Sequence, residues 1–163
     1  MALKHKDKQL IGAAGEHLVL SRLLTIGLLA SLAPRGTRKA DILVNPLDGG
    51  RPLLIQVKTR SGNDKTFNWA MTKKAEEIAE KDVFYCFVNL DPQHPDVYVI
   101  PSKLVASVIK EHHANWLATP GKNGKAHKDS DMRTLEYRYK TKIKHAPEGW
   151  MDKYLENWDL LES

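Results

Sequence analysis

Apolar residues recur at helical spacing over residues 8–26. Leu10, Ala14, Leu18 and Ser21 form one stripe, and Leu20, Leu23 and Leu24 broaden it. That breadth predicts a largely buried helix, and Gly27 supplies its stop. The period then changes. Short runs rich in Leu, Ile and Val predict strands over 28–33, 40–45 and 53–59. The basic turn Arg35-Gly36-Thr37-Arg38-Lys39 separates the first two, and Asn45-Pro46-Leu47-Asp48-Gly49-Gly50 joins the last two as a hairpin. Residues 61–68 are polar and read as a loop, and a helix is expected over 72–81 with Thr72 as its N-cap. Residues 83–90 are almost wholly apolar, the pattern of a strand buried on both faces. After a turn at 91–96, a short strand is expected over 97–100, and Pro101-Ser102 opens a helix to about residue 117. Residues 119–131 form a Gly/Lys/Asp-rich loop, and 133–144 read as a basic strand or extended arm. Trp150, Tyr154 and Trp158 fall at i, i+4 and i+8, the spacing of a short C-terminal amphipathic helix. This order predicts an α/β domain whose central mixed sheet is flanked by helices.

Length and composition narrow the class. The chain has 163 residues, which suits one domain with one sizeable core. No apolar run approaches the roughly 18 residues that span a bilayer, so no membrane partner is expected. No apolar segment follows the charged residues at the N-terminus, so a secretory signal is not expected either. The lone Cys86 lies in an apolar run, where it can form neither an internal disulfide nor a cysteine zinc site. A reduced, cytoplasmic location follows as the expectation. The net charge of +5 is not spread evenly. Residues 120–145 hold eight Lys/Arg and three Asp/Glu, and the rest of the chain holds seventeen of each sign. A focused basic segment suits a polyanion such as nucleic acid, or is a solvated basic loop.

The segment Leu53-Leu54-Ile55-Gln56-Val57-Lys58-Thr59 is the most informative in the chain. Side chains alternate along a strand, so Gln56 and Lys58 share one face while Ile55 and Val57 share the other. Asp41 begins the preceding strand and reaches the same face if it lies opposite residue 56 or 58. A carboxylate, an amide oxygen and a lysine on one face could hold a hard divalent cation and stabilise charge on a phosphate. They could equally be a partly exposed face bearing an ordinary ion pair. Glu16 adds to the first reading. Its helical neighbours are Gly12, Ala13, Val19 and Leu20, a setting in which a carboxylate is usually paired or bound, unless it reaches water from the stripe's edge. The seven histidines make no comparable cluster, because His112 and His113 are adjacent and diverge by about 100° on a helix. There is no P-loop and no dinucleotide fingerprint.

Three strings, Gly12-Ala13-Ala14-Gly15-Glu16, Ala40-Asp41-Ile42-Leu43-Val44 and Ile55-Gln56-Val57-Lys58-Thr59, together resemble the PD-(D/E)XK nuclease superfamily. They are most similar to its small restriction-endonuclease-like and archaeal Holliday-junction-resolvase-like members. The resemblance covers roughly residues 8–90 and implies a restriction-endonuclease-like core. By position it implies that Glu16 is the helix acid, Asp41 the principal metal ligand, and Gln56 the occupant of the second acidic position. It makes Lys58 the motif lysine and has Val57 supply a backbone carbonyl. Ala40 stands where the superfamily often has proline. Gln56 replaces an acid, which removes one negative charge. The implied cofactor is Mg²⁺ or Mn²⁺, and the implied activity is hydrolysis of DNA phosphodiester bonds. RNA stays open as a substrate, and a homodimer would suit cleavage of both strands.

Around this centre, Arg38, Lys39, Trp69 and Lys73 are candidates to contact nucleic acid, as are Lys122, Lys125 and Lys128 of the basic loop. Trp69 could instead be core packing, and the lysines simply solvated. The chain is then read as a single domain, 1–163. It has a nuclease-like core over 8–118, a basic loop and arm over 119–145, and a C-terminal helix over 147–162. Two other functions stay open: a catalytically inactive nucleic-acid-binding module on the same fold, and a protein-interaction module.

Overall fold

The computed structural model describes residues 7–47, 49–62, 67–91 and 93–162. Asp48, Pro92 and residues 63–66, which belong to the expected turns and loop, lie outside the described residues, as do the N-terminal residues 1–6 and Ser163. Helix α1 (Lys8–Thr25) begins where the Asp7 carboxylate accepts the Leu10 N–H, and the chain leaves it through Gly27 at φ 88°. Strands β1 (Leu29–Leu32), β2 (Ile42–Asn45) and β3 (Leu53–Ser61) follow as an antiparallel meander. Strand β4 (Asn68–Thr72) leaves the sheet. The chain returns as β5 (Val83–Leu90), parallel to β3, and β6 (Asp96–Pro101) pairs antiparallel with β5. The five-stranded mixed sheet has the order β1-β2-β3-β5-β6. Helix α2 (Ser102–Ala118) then leads to β7 (Met132–Glu136), which pairs with β4 as a separate two-stranded ribbon. The expected α/β architecture, a mixed sheet flanked by helices, is the one observed.

Each face of the sheet buries its own core. On one side Ile42, Val44, Ile55, Val57, Cys86, Val88, Val97 and Val99 pack with Val19 and Leu23 of α1. On the other, Tyr85, Phe87, Tyr98 and Ile100 pack with Val105, Val108 and Ile109 of α2 and with Trp69, Met71 and Leu135 of the ribbon. The alternation along β3 therefore sends Ile55 and Val57 to α1 and leaves Gln56 and Lys58 on the face of Tyr85 and Phe87. Residues 83–88 of β5 are buried without interruption, because both faces of that strand are covered.

Helix α1 approaches β3 closely at Gly15. A Cβ built there would lie 1.9 Å from Thr59 Oγ1 and within 3 Å of two Thr59 carbons. At Gly12 an added Cβ meets nothing within 4 Å. The two glycines should respond oppositely to alanine. Gly12→Ala should stabilise by about 0.5–1 kcal/mol through helix propensity. Gly15→Ala should destabilise by about 1–3 kcal/mol through overpacking, and it should shift Glu16, the next residue on the helix. Denaturant melts of the two variants check both signs.

Three expected elements take a different form. The helix expected over 72–81 is a short 3-10 helix, Lys73–Glu77, because Thr72 is still paired with Met132 in the ribbon and the Lys73 N–H goes to the Asp131 carbonyl. The loop expected over 61–68 is shorter, since β3 continues to Ser61 against Leu90 and β4 opens at Asn68. The C-terminal helix expected over 147–162 is absent among the described residues, where two 3-10 turns, Asp152–Tyr154 and Trp158–Leu161, stand instead. Its aromatic spacing misleads for a physical reason. Trp150 packs into the α2-side core and Trp158 into the α1-side core, so the segment must cross the sheet edge. A straight helix keeps i, i+4 and i+8 on one face and could not make that crossing. The chain passes over β6 instead, where Leu155 bridges Tyr98 and the Glu156 N–H donates to the Val97 carbonyl at 2.8 Å. The crossing also covers the outer edge of the sheet. The strand expected within 133–144 forms, but only as β7.

Candidate active site

Asp41 lies one residue before β2 and is fixed from both sides. Its N–H donates to the Ile55 carbonyl at 2.8 Å, and its own carbonyl accepts the Ala33 N–H at 2.8 Å. Its carboxylate Oδ2 accepts the Val57 N–H at 2.7 Å. The ladder pairs Ile42 with Ile55, so one further step places residue 41 opposite Gln56. That is a register in which Asp41 shares the Gln56 face. The structure thus ties Asp41 to the middle of the Gln56-Val57-Lys58 segment through the Val57 N–H.

Glu16 reaches the same neighbourhood from α1. Its carboxyl is held above the usual carboxylate range, first by burial and then by the negative charge of Asp41, with His17 opposing. The two acids therefore share a field, although they lie 25 residues apart in sequence. The Gly15–Thr59 contact is what lets the helix come close enough.

Gln56 and Lys58 line a cleft of about 570 Å³ with Arg38, Lys39, Lys74 and Tyr85, closed by Met71, Thr72 and Ala75 at the foot of the ribbon. Among the described residues, neither the Gln56 amide nor the Lys58 ammonium has a hydrogen-bond or ion-pair partner. Lys39 is neutralised by an ion pair with Glu80, whereas Arg38 is exposed on the rim. The cleft thus holds uncommitted donors with the exposed Glu77 among its lining residues, and the Asp41 carboxylate is tied to the strand between Gln56 and Lys58.

Hard divalent cations take oxygen ligands, and the oxygens here are the Asp41 and Glu16 carboxylates, the Gln56 amide and main-chain carbonyls. The donor chemistry fits Mg²⁺ or Mn²⁺. Among the described residues no three His, Cys, Asp or Glu side chains converge on one point. A cation here would therefore depend on the amide, a backbone carbonyl or substrate oxygens to complete its shell.

The other candidates divide. Trp69 is a correction. Its ring is 2% exposed, its Nε1–H donates to the Val88 carbonyl at 2.9 Å, and Phe67 and Phe87 pack edge-on against it. It is a core residue with no face free to stack on a base. Lys73 is exposed and turns to Asp129 at 3.5 Å, while Lys74 is the one that lines the cleft. Lys122, Lys125 and Lys128 are exposed and do not line the cleft. Their loop is tied back by the Trp116–His127 stack, with centroids 4.0 Å apart, and by His113 on Asp129 at 2.8 Å. The hydrogen bond from His113 holds the Asp129 carboxyl below its ordinary range, with Lys73 adding to the effect.

Two residues of consequence escaped the sequence reading. Tyr85 counted only as part of an apolar run, and its place beside Gln56 follows from the parallel pairing of β3 with β5, which periodicity does not reveal. Arg133 counted only as one basic residue among eight. It is 4% exposed, pairs with Glu76, and donates to the Ser130 and Met132 carbonyls, so it fixes the ribbon to the 3-10 helix beside the cleft.

No helix among the described residues is long and apolar enough to cross a membrane. No family model matches the chain, and no curated protein is significantly similar to it. Among solved structures, the chain is similar to a bacterial homing endonuclease, I-Ssp6803I, with a TM-score of 0.50 and 19% identity, over 95% of this chain and 91% of that one. At that identity the likeness is one of fold.

Proposed function

We propose that the protein is a PD-(D/E)XK-type endonuclease that hydrolyses DNA phosphodiester bonds with the help of Mg²⁺ or Mn²⁺. The observation that carries this reading is the Asp41 carboxylate bound to the Val57 N–H, between the Gln56 and Lys58 side chains that line a cleft and have no partners among the described residues. The nuclease-like fold of the structural neighbour supports it. In this reading Asp41, Glu16 and the Gln56 amide oxygen hold the cation, and the Val57 carbonyl is a further donor. The bound cation supplies Lewis acidity toward the phosphate oxygens and toward water. Lys58 stabilises the charge that builds on the phosphate as water attacks phosphorus. One P–O bond of the diester breaks as the new one forms, leaving a phosphomonoester and a hydroxyl. Arg38 and Lys74 steer the backbone into the cleft, and Lys122, Lys125 and Lys128 add attraction that is independent of sequence.

One feature favours a second reading, a silent DNA-binding module. Gln56 is neutral, so the site carries two carboxylates rather than three. Calorimetric titration of Mn²⁺ into the protein mixed with a DNA duplex separates the two. Asp41→Asn is the suitable control, because the Asn oxygen can still accept the Val57 N–H while the charge is lost. Wild type should bind Mn²⁺. The variant should lose more affinity than the ~10–100-fold typical of a supporting residue. DNA binding with no Mn²⁺ binding would leave only the silent module.

A further inference from the structure

Tyr85 lies on β5 in register with Gln56, its nearest neighbour on the adjacent parallel strand, and lines the same cleft. Its hydroxyl is buried and has no hydrogen-bond partner among the described residues. The tyrosines of the arm differ. The Tyr137 hydroxyl donates to Asp152, and the Tyr139 hydroxyl accepts the Glu136 N–H at 3.0 Å. Buried phenols usually find a partner inside the fold, so an orphan at a cleft marks a group whose partner comes from outside. The ring cannot easily turn away, because it stacks on Phe87 with centroids 5.6 Å apart and planes inclined by 15°.

We infer that the Tyr85 hydroxyl donates a hydrogen bond to a non-bridging oxygen of the phosphodiester that enters the cleft, beside Gln56 and Lys58. This rests on the nuclease reading and deepens it, adding a substrate-contacting residue from a strand outside the Asp41–Lys58 segment. The chemistry selects the ligand. Lys58, Arg38 and Lys74 bring positive charge to the cleft against the single exposed carboxylate of Glu77, and the Gln56 amide can donate as well, so an acceptor-rich anion is their complement. Burial, together with the nearby charge of Asp41, pushes the phenol up to about 12. It therefore stays protonated at neutral pH, able to donate and poor as a nucleophile.

The test is Tyr85→Phe in the full chain, with three readouts: thermal melting, affinity for a labelled DNA duplex in Ca²⁺, and single-turnover cleavage in Mn²⁺. Removing an orphaned hydroxyl should leave the melting temperature equal or higher. DNA affinity or cleavage rate should fall about tenfold or more, as for loss of one charge-assisted hydrogen bond. A variant that melts several degrees lower shows that the hydroxyl is structural and overturns the inference. A variant that binds and cuts like wild type while Lys58→Ala does not also overturns it, and leaves the nuclease reading standing. A wild type that neither binds nor cuts DNA overturns both.

Discussion

Lys58→Ala is expected to lower the cleavage rate by about 10²–10³-fold while leaving Mn²⁺ binding and the fold unchanged. Lys58 is half-buried and has no ion-pair partner among the described residues. It lines the same cleft as Arg38 and Lys74, so the folded protein bears some like-charge repulsion there, while Lys39 is paired with Glu80. Truncation relieves that repulsion, and the melting temperature should hold or rise slightly. What is lost is a cation placed where negative charge grows during the reaction. In a partly desolvated cleft that placement is worth roughly 3–4 kcal/mol of barrier. Lys58→Arg should recover only part of the rate, because a planar guanidinium does not reproduce the point charge of an ammonium. Single-turnover rates on a duplex, with calorimetry and melts alongside, check all three statements. A loss of stability matching the loss of rate would mean that Lys58 is structural.

Arg133→Ala is expected to cost about 3–5 kcal/mol of stability, lowering the melting temperature by about 10 °C. The guanidinium is 2% exposed and pairs with Glu76, whose side chain is 14% exposed. Its second nitrogen donates to the Ser130 and Met132 carbonyls. Truncation leaves a largely buried carboxylate and two carbonyls without their donor. Replacing both partners in Arg133→Met/Glu76→Leu should recover part of the loss, since the charge is gone from both sides. Recovery should stop short, because the two carbonyls remain unserved. Activity should fall in the single variant as well. Glu76 sits in the 3-10 helix that carries Lys74 and Ala75 along the wall of the cleft. A melt within two degrees of wild type would contradict this account of how the ribbon is held.

What the sequence makes legible is what local chemistry decides. Helix α1, the β2–β3 hairpin, β5 and α2 all show in the periodicity, because each buries its stripe or face against a broad core. The meeting of Asp41 with the Gln56-Val57-Lys58 segment is legible too, since a hairpin fixes register over a short span. The region around Lys73 is not. Thr72 reads as a helix cap, yet its pairing with Met132, sixty residues on, holds it in a strand. Trp69 shows the same limit. A tryptophan beside basic residues suits a binding surface, but the ribbon folds it over the sheet and its indole finds the Val88 carbonyl. Trp150, Tyr154 and Trp158 have helical spacing and serve opposite faces of the sheet. Each failure comes from a contact distant in sequence that overrides a local preference.

The most direct measurement of the central claim is nicking of supercoiled plasmid by the wild-type chain in Mg²⁺ or Mn²⁺, beside Asp41→Asn and an EDTA control. The account predicts nicking by wild type that stops in EDTA and falls about 10³-fold or more in Asp41→Asn, a rise of roughly 4 kcal/mol in the barrier. Nicking that persists equally in Asp41→Asn, or that is indifferent to EDTA, would contradict it and place any activity outside the cleft formed by Gln56 and Lys58.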